Sequence, residues 1–484
     1  MKLNPFRLVL LLLTIVSFSS CNWFETDATV ASSNPSFVSL TFTKNDSVAG
    51  LEKAVFSLKW DAQLNDSIIV NLDSLPYLAD ISKVVANFSF YSTSGAYVYL
   101  TDTLGLGTIT DSIALAGKDT LNFERVAKIK NYAADGKKYK VYPIKVNVHQ
   151  VEPELYQWNK IADEIYSHSG SLQKAVFFNK TFYLYVGTSI RNYLYTSTDG
   201  KMWIDKTNAL KNLPLNSSLR GINEFNGKLY VLSDDDKIYT TTDGYEWTGE
   251  NGDISDTNYK FENFLFELDG KLWSIMKSGV DNTYRFANSA DGKTWIVYGQ
   301  IPVNFPIGDF SSLSFSSRTK KPKALIAGGY TASGKLLNNI WSTEDGSYWV
   351  DFSTENTTLG SLSGATIIAY DDKLLLYGGV DDNGNIVDSS YMESIDEGLS
   401  WSVPDTLYNR LRQMNISATG DTTYINYAPR AYQSVLNVVI DHTAKGYSDH
   451  LIYLIGGINP RASKVYKDVW VGKLNRLSFP TDED

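Results

Sequence analysis

One short corner is written five times in the second half of this chain: "STDGKMW" (197–203), "TTDGYEW" (241–247), "SADGKTW" (289–295), "TEDGSYW" (343–349) and "SIDEGLSW" (394–401). The tryptophans fall at 203, 247, 295, 349 and 401, in steps of 44, 48, 54 and 52 residues. A period of this length marks a repeat architecture, in which each unit cannot bury its own faces and must stack on its neighbours. An apolar stretch precedes each corner: "FYLYVG" (182–187), "GKLYVL" (227–232), "GKLWSI" (270–275), "KALIAGG" (323–329) and "KLLLYGG" (373–379). A sixth, "LIYLIGG" (451–457), leads into "DVWVGKLNRLSF" (468–479), where Phe479 stands near the place of the missing tryptophan.

Another strand lies between each apolar stretch and its corner, as in "NYLYTST" (192–198) and "NNIWSTE" (339–344). One repeat therefore supplies an inner strand, an apolar second strand, a third strand, the corner, and an outer strand starting at the tryptophan. Four antiparallel strands per 40–50 residues are a propeller blade. Six copies predict a six-bladed β-propeller within a domain at 151–484. "ELYQWNKI" (154–161) is expected to complete the outer strand of the last blade, which ties the chain ends together and removes an open edge. Asp199, Asp243, Asp291, Asp345 and Asp396 are expected to accept amides of their own turns, and the glycines to take positive φ. Trp203, Trp247, Trp295, Trp349 and Trp401 are expected to pack between blades. The corners read as joints, on the face away from the usual ligand site.

"LLLYGG" and "IYLIGG" followed by a tryptophan resemble Kelch repeats, and "SIDEGLSW" resembles the Asp-box of sialidases. Taken whole, the chain resembles a family of Bacteroidetes lipoproteins with an N-terminal sandwich and a Kelch-like or galactose-oxidase-like propeller. That resemblance implies architecture and location, and it implies no reaction.

The rest of the chain agrees with an exported, all-β protein. Lys2 and Arg7, the apolar run 8–18 and small Ser19 and Ser20 form a signal peptide (1–20). Its apolar run is too short to span a bilayer comfortably. The pattern resembles a bacterial lipobox, so Cys21, the only cysteine, is the expected lipidation site, and anchoring on the outer membrane is the expected location. With no second cysteine, core burial rather than disulfides must stabilise the folded domains. Residues 21–35 read as a tether. Alternating stretches such as "AYVYL" (96–100) and "YKVYPIKVNVHQ" (139–150) place an immunoglobulin-like β-sandwich at 36–150. High aromatic content, 13% of residues, favours strands throughout.

A net charge of −10 and the lack of a basic stripe argue against a nucleic-acid partner. Galactose-oxidase chemistry needs a crosslinked cysteine and copper-binding histidines. Here Cys21 is committed to lipid, and His168, His442 and His450 show no clustered spacing. "RNYLYTS" at Arg191 is not the arginine motif of sialidases. No phosphate loop, HExxH or paired-cysteine site is present, so no metal or cofactor is expected. The longest loop, 404–430, carries Tyr408, Arg410, Arg412, Tyr427 and Arg430. Together with Arg220 and Arg461 it predicts a ligand site at the channel mouth that suits an anionic group. The expected role is a non-catalytic binding or scaffold module for glycan or envelope-protein ligands. A glycan-active hydrolase or lyase using carboxylates on the mouth loops is the alternative.

Overall fold

The computed structural model describes residues 30–45, 48, 50–62, 64–102, 108–149, 155–352, 359–387, 391–404, 411–417, 422–442 and 447–475. Cys21, the leader at 1–20, Tyr408, Arg410 and Phe479 lie outside the described residues. Among the described residues there are strands and three short 3-10 turns, and no α-helix. The chain divides into two compact units, with the boundary between Pro153 and Glu154.

The first unit holds two sheets. Phe37–Phe42, Val84–Phe90 and Lys118–Leu121 pair in that order. The second sheet runs Phe56–Asp61, Asp66–Asn71, Tyr139–Lys145, Val126–Tyr132, Gly95–Thr101 and Ile109–Ala114. Alternate residues of both sheets meet in one core: Leu40, Phe42 and Val84 from the first lie against Ile69, Val98 and Ile129 from the second. The alternation in "AYVYL" explains this, because Ala96, Val98 and Leu100 are buried while Tyr97 faces outward.

In the second unit six strands each form one edge of a sheet that is antiparallel apart from the short parallel pair of Asp253–Ile254 with Thr294–Gln300: Leu172–Phe178, Asn223–Phe225, Tyr259–Leu268, Ser311–Ser316, Thr366–Tyr370 and Ser434–His442. Each of these first strands, or the 3-10 turn leading into it, touches the next, and the sixth touches the first. In the sixth sheet the order is Ser434–His442, Tyr447–Ile455, Val469–Leu474 and then Tyr156–Ala162. Residues from the start of the unit thus pair antiparallel with its last strand, Tyr156 opposite Leu474 and Trp158 opposite Gly472.

Apolar cores form between successive sheets. Trp295 of the third packs with Phe225 and Tyr230 of the second and Phe264 of its own. The repeated corner explains how the sheets are joined. Asp199 accepts the amides of Lys201 and Met202 at 2.8 and 2.9 Å, and Asp243, Asp291 and Asp345 repeat the pattern. Asp396, whose corner has one extra residue, accepts Ser400 instead. The corner glycines sit at φ 72–95°. Each lies hard against the second strand of the preceding sheet: a Cβ on Gly244 would stand 2.4 Å from the Tyr183 ring, and one on Gly346 2.3 Å from Trp273. Glycine is needed there for both its φ and its lack of a side chain. Trp247 and Trp295 are wholly buried and Trp401 nearly so, whereas Trp203 and Trp349 are half-buried and donate to Gly200 and Gly346 carbonyls.

Candidate functional site

The six first strands enclose a cavity of about 720 Å³, lined by all six sheets. Its wall also takes in the segments that precede four of those strands, 218–222, 308–310, 364–365 and 432–433, so it opens at the end opposite the Asp-Gly corners. The inner hairpins mark the corner end: Asn179 donates to the carbonyl of Thr242, and Asn226 to that of Ala290.

Most hydroxyls on the wall are committed to holding the ring. Ser311 Oγ accepts the Ile367 amide at 2.8 Å, and Ser434 Oγ accepts the Ala175 amide at 2.7 Å. Thr366 donates to the Gln433 carbonyl and Ser312 to that of Leu265. Every one of these bonds crosses from one sheet to its neighbour.

The rim is shaped by three residues that precede the first strands of the fourth, fifth and sixth sheets. Asp309, Gly364 and Tyr432 have φ of 51°, 63° and 57°. Their backbones form a chain, with Gly364 N donating to Asp309 O at 3.1 Å and Tyr432 N to Gly364 O at 2.7 Å. A left-handed tyrosine is a true conformational outlier, which this chain of bonds sustains. A Cβ on Gly364 would meet the Tyr432 ring at 2.6 Å, so glycine allows that ring to lie where it does. The Tyr432 hydroxyl donates to Asp309 Oδ2 at 3.2 Å.

Arg220, from the 3-10 turn Leu219–Gly221, stacks its guanidinium on Tyr432 at 3.7 Å from the ring centre. Its Nε is buried and has no hydrogen-bond partner. Burial lowers its pKa, and Asp309 opposes that at a distance. Lys174 also lines the cavity, and burial pulls its amine down to about 8. Glu224 on the adjoining strand is pushed up by burial. No salt bridge among the described residues ends on any of these three, although Lys174 is only half-buried and Glu224 is exposed. A buried polar atom without a partner, as Arg220 Nε is, is costly, and a ligand able to bond it recovers that cost.

The other expected ligand residues do not gather here. Arg430 is 1% exposed. It makes a two-pronged pair with Asp468, bonds the carbonyls of Ala428 and Gly456, and lies between the rings of Tyr427 and Tyr466 at 4.0 and 3.8 Å. Tyr427 is itself buried and packs on Trp470. Arg412 stacks on Tyr424 at 3.9 Å in the hairpin Arg412–Ile416/Thr422–Asn426. That hairpin lies along Tyr156–Ala162, with the Lys160 amide donating to Gln413. Arg461 is exposed and bonds the side chain of Asn385. The described part of the 404–430 loop therefore packs on the sixth sheet and does not line the cavity, which corrects the expected mouth cluster: of its four described arginines, Arg220, Arg412, Arg430 and Arg461, Arg220 alone is there. Sequence reasoning missed Lys174, Glu224 and Asp309. The one available signal was Lys174 itself, a cation directly ahead of the apolar run "AVFF" in the strand Leu172–Phe178. His168, stacked between Tyr166 and Tyr193, bonds the Tyr195 hydroxyl, and no metal-competent cluster of three side chains occurs among the described residues.

A ring of antiparallel sheets around a charged cavity defines a β-propeller, here preceded by a separate all-β unit. The DUF6242 beta propeller domain matches residues 152–482, and the DUF6242 N-terminal domain, a domain of unknown function, matches residues 29–146. The chain belongs to this family. Among solved structures, one described as the structure of YjhT is similar at 12% identity with a TM-score of 0.40, over 64% of this chain and 96% of that one. No curated protein matches.

Proposed function

We propose that this chain is a non-catalytic binding module of the bacterial cell envelope, whose propeller cavity takes a small ligand or a glycan end bearing a carboxylate. The observation that carries this reading is the Arg220 guanidinium, held flat on Tyr432 with a buried, unpartnered Nε and with Lys174 lining the same cavity. Guanidinium and ammonium groups freed from water bind carboxylates more strongly than exposed ones do. Six sheets in a closed circle, three of them carrying a Gly-Gly pair after the second strand, support a six-bladed, Kelch-like ring. The two sheets around one core support an immunoglobulin-like spacer. The leader and Cys21 support a lipid anchor, with the outer membrane as the location and envelope glycans or proteins as partners. If Cys21→Ala leaves the protein in the membrane fraction to the same extent, that part of the reading fails.

Calorimetry with galacturonate, glucuronate and neutral galactose tests the site. The acidic sugars are expected to bind, galactose is not, and Arg220→Met should weaken binding at least tenfold. Binding unchanged in Arg220→Met, or no preference for the acidic sugars, overturns the reading.

A glycan-active hydrolase or lyase is the second reading. It is favoured by the carboxyl groups of Glu224 and Asp309, which line the same cavity. Burial raises the Glu224 pKa, as a general acid requires. Turnover of an acidic oligosaccharide that is lost in Glu224→Gln would establish it over the binding reading.

A further inference from the structure

The first unit carries a surface of a different kind. On the six-stranded sheet, residues alternate between the core and the outer face. Val98, Ile129 and Tyr142 are buried, and their neighbours Tyr97, Lys128, Lys130 and Val141 point the other way. Tyr97, Tyr99, Tyr132 and Tyr139 come together on this outer face. Successive ring centres lie 6.2 Å apart from Tyr97 to Tyr132 and 5.6 Å apart from Tyr132 to Tyr139. Lys130 Nζ sits over both of the latter rings, at 4.6 and 4.0 Å, and Lys128 over Tyr99 at 5.6 Å. Tyr139 is 56% exposed and Tyr97 39%.

Register places two further lysines on the same face. Lys59 lies opposite Ile68, and Lys145 opposite Val70. The carboxylates that the pairing puts on this face, Asp61 and Asp66, are confined to the far end of one hairpin. Four lysines and four tyrosines thus share one sheet face of a protein whose net charge is −10. A cation resting on a tyrosine ring is stabilised by it yet keeps outward N–H groups for an anion.

We propose that this face binds a single chain of an acidic polysaccharide, with the apolar faces of its sugars on Tyr97 and Tyr139 and its carboxylates on Lys128 and Lys130. Charge complementarity selects an anionic partner. The ring geometry selects its form: the three rings are tilted by 87° and 55° to one another. Such a notched surface does not fit a flat crystalline face, and it fits a twisted, solvated polymer. Nucleic acid is disfavoured by the same tilt, which leaves no open parallel slots for bases, and by the acidity of the protein as a whole.

Affinity electrophoresis of the full chain through gels containing polygalacturonate, amylose or single-stranded DNA tests the proposal. Retardation is expected with polygalacturonate alone, and it should weaken as salt rises. The double variants Tyr97→Ala/Tyr139→Ala and Lys128→Gln/Lys130→Gln should each reduce it at least fivefold in an Arg220→Met background, where the propeller cavity no longer takes acidic sugar ends. Circular dichroism melts check that the variants are folded. Because these side chains face away from the core, the melts should match the parent. Full retardation in both double variants, equal retardation by DNA, or loss in Arg220→Met overturns the proposal. The last outcome assigns the polymer to the propeller cavity instead.

Discussion

The first three sheets of the propeller and the last three solve the same closure problem differently. In the fourth, fifth and sixth sheets the second strand ends in a glycine pair: Gly328-Gly329, Gly378-Gly379 and Gly456-Gly457, all at positive φ. Backbone from the next sheet runs directly over the first two pairs. Gly329 donates to Leu362 O at 2.8 Å, and a Cβ on Gly378 would lie 2.2 Å from Arg430 O. Over the third pair that place is taken by a side chain, Gln173 Oε1, which accepts the Gly457 amide at 3.3 Å. In the first three sheets the second strands end at Gly187, Leu232 and Ser278, and no such pair follows. The loop leading to the second sheet instead makes a 3-10 turn that carries Arg220. One half of the ring is held by backbone and supplies a fixed rim through Asp309, Gly364 and Tyr432. The other half is free of that constraint and supplies Lys174, Arg220 and Glu224 to the cavity. The backbone bracing thus lies in one arc and the cavity's cations, Lys174 and Arg220, in the other.

The corner contacts are shared by both arcs, so their loss should cost much in either. Trp295→Ala and Trp401→Ala, one from each half, are each expected to lower stability by about 3–5 kcal/mol in urea unfolding. Lys293→Ala, on the same corner as Trp295 with only an exposed ion pair to Glu250, should cost less than about 0.5 kcal/mol. A small loss at Trp401 alone would mean that the glycine-pair arc does not depend on its corners.

Arg430 and Arg220 sharpen the division. Arg430→Ala leaves the buried Asp468 with only Trp470 Nε1 at 3.0 Å and Lys160 at 3.8 Å and should destabilise by about 3 kcal/mol. Arg220→Ala should change stability by less than about 1 kcal/mol, because its guanidinium bonds no described residue and its stacking on Tyr432 is all that is lost. Comparable losses would remove the distinction between a structural arginine and a ligand-facing one.

Gly378→Ala is next in size. Its φ of 64° and the facing carbonyl together predict about 3 kcal/mol. Gly270→Ala in the first arc has φ 70° and open space around it, and should cost about 1 kcal/mol. Equal costs would show that backbone crossing adds nothing to φ strain.

The smallest effect is one of pH. Lys174 in the free protein carries its proton below about pH 8 and loses it above. Its share of carboxylate binding is therefore present at pH 7 and falls as pH rises, while Arg220 stays charged. Affinity for an acidic sugar should drop about threefold between pH 7 and 9, and the drop should vanish in Lys174→Gln. Glu224, Asp309 and Tyr432 share the cavity. Burial raises the Glu224 carboxyl, so the Glu224→Gln profile separates its titration from that of Lys174.

Much of this was legible in the chain. The corner spacing announces the repeat, and "ELYQWNKI" announces the closing strand, because both are local patterns of residue type. The cavity was not legible, for a physical reason. Arg430 looked like a ligand-binding side chain because it ends a long polar loop, but its partner Asp468 lies 38 residues later and only the fold brings them together. Conversely, nothing in "LQKAVFF" says that Lys174 shares a cavity with Arg220. A lone cation in a strand acquires meaning from its neighbours across the ring.

The strand Tyr156–Ala162 has a consequence for how the protein is made. It leaves the ribosome first in its unit, yet its pairing partner, Val469–Leu474, is about 300 residues further on. At roughly 5–20 residues per second, that is an interval of about 15–60 s. Throughout it Tyr156 and Trp158, both buried in the finished ring, have no sheet to join. A growing chain in this state presents an aromatic, unpaired edge to whatever is near. The last turn of synthesis both covers that edge and shuts the circle, so a chain truncated before residue 469 should lose far more than its final strand.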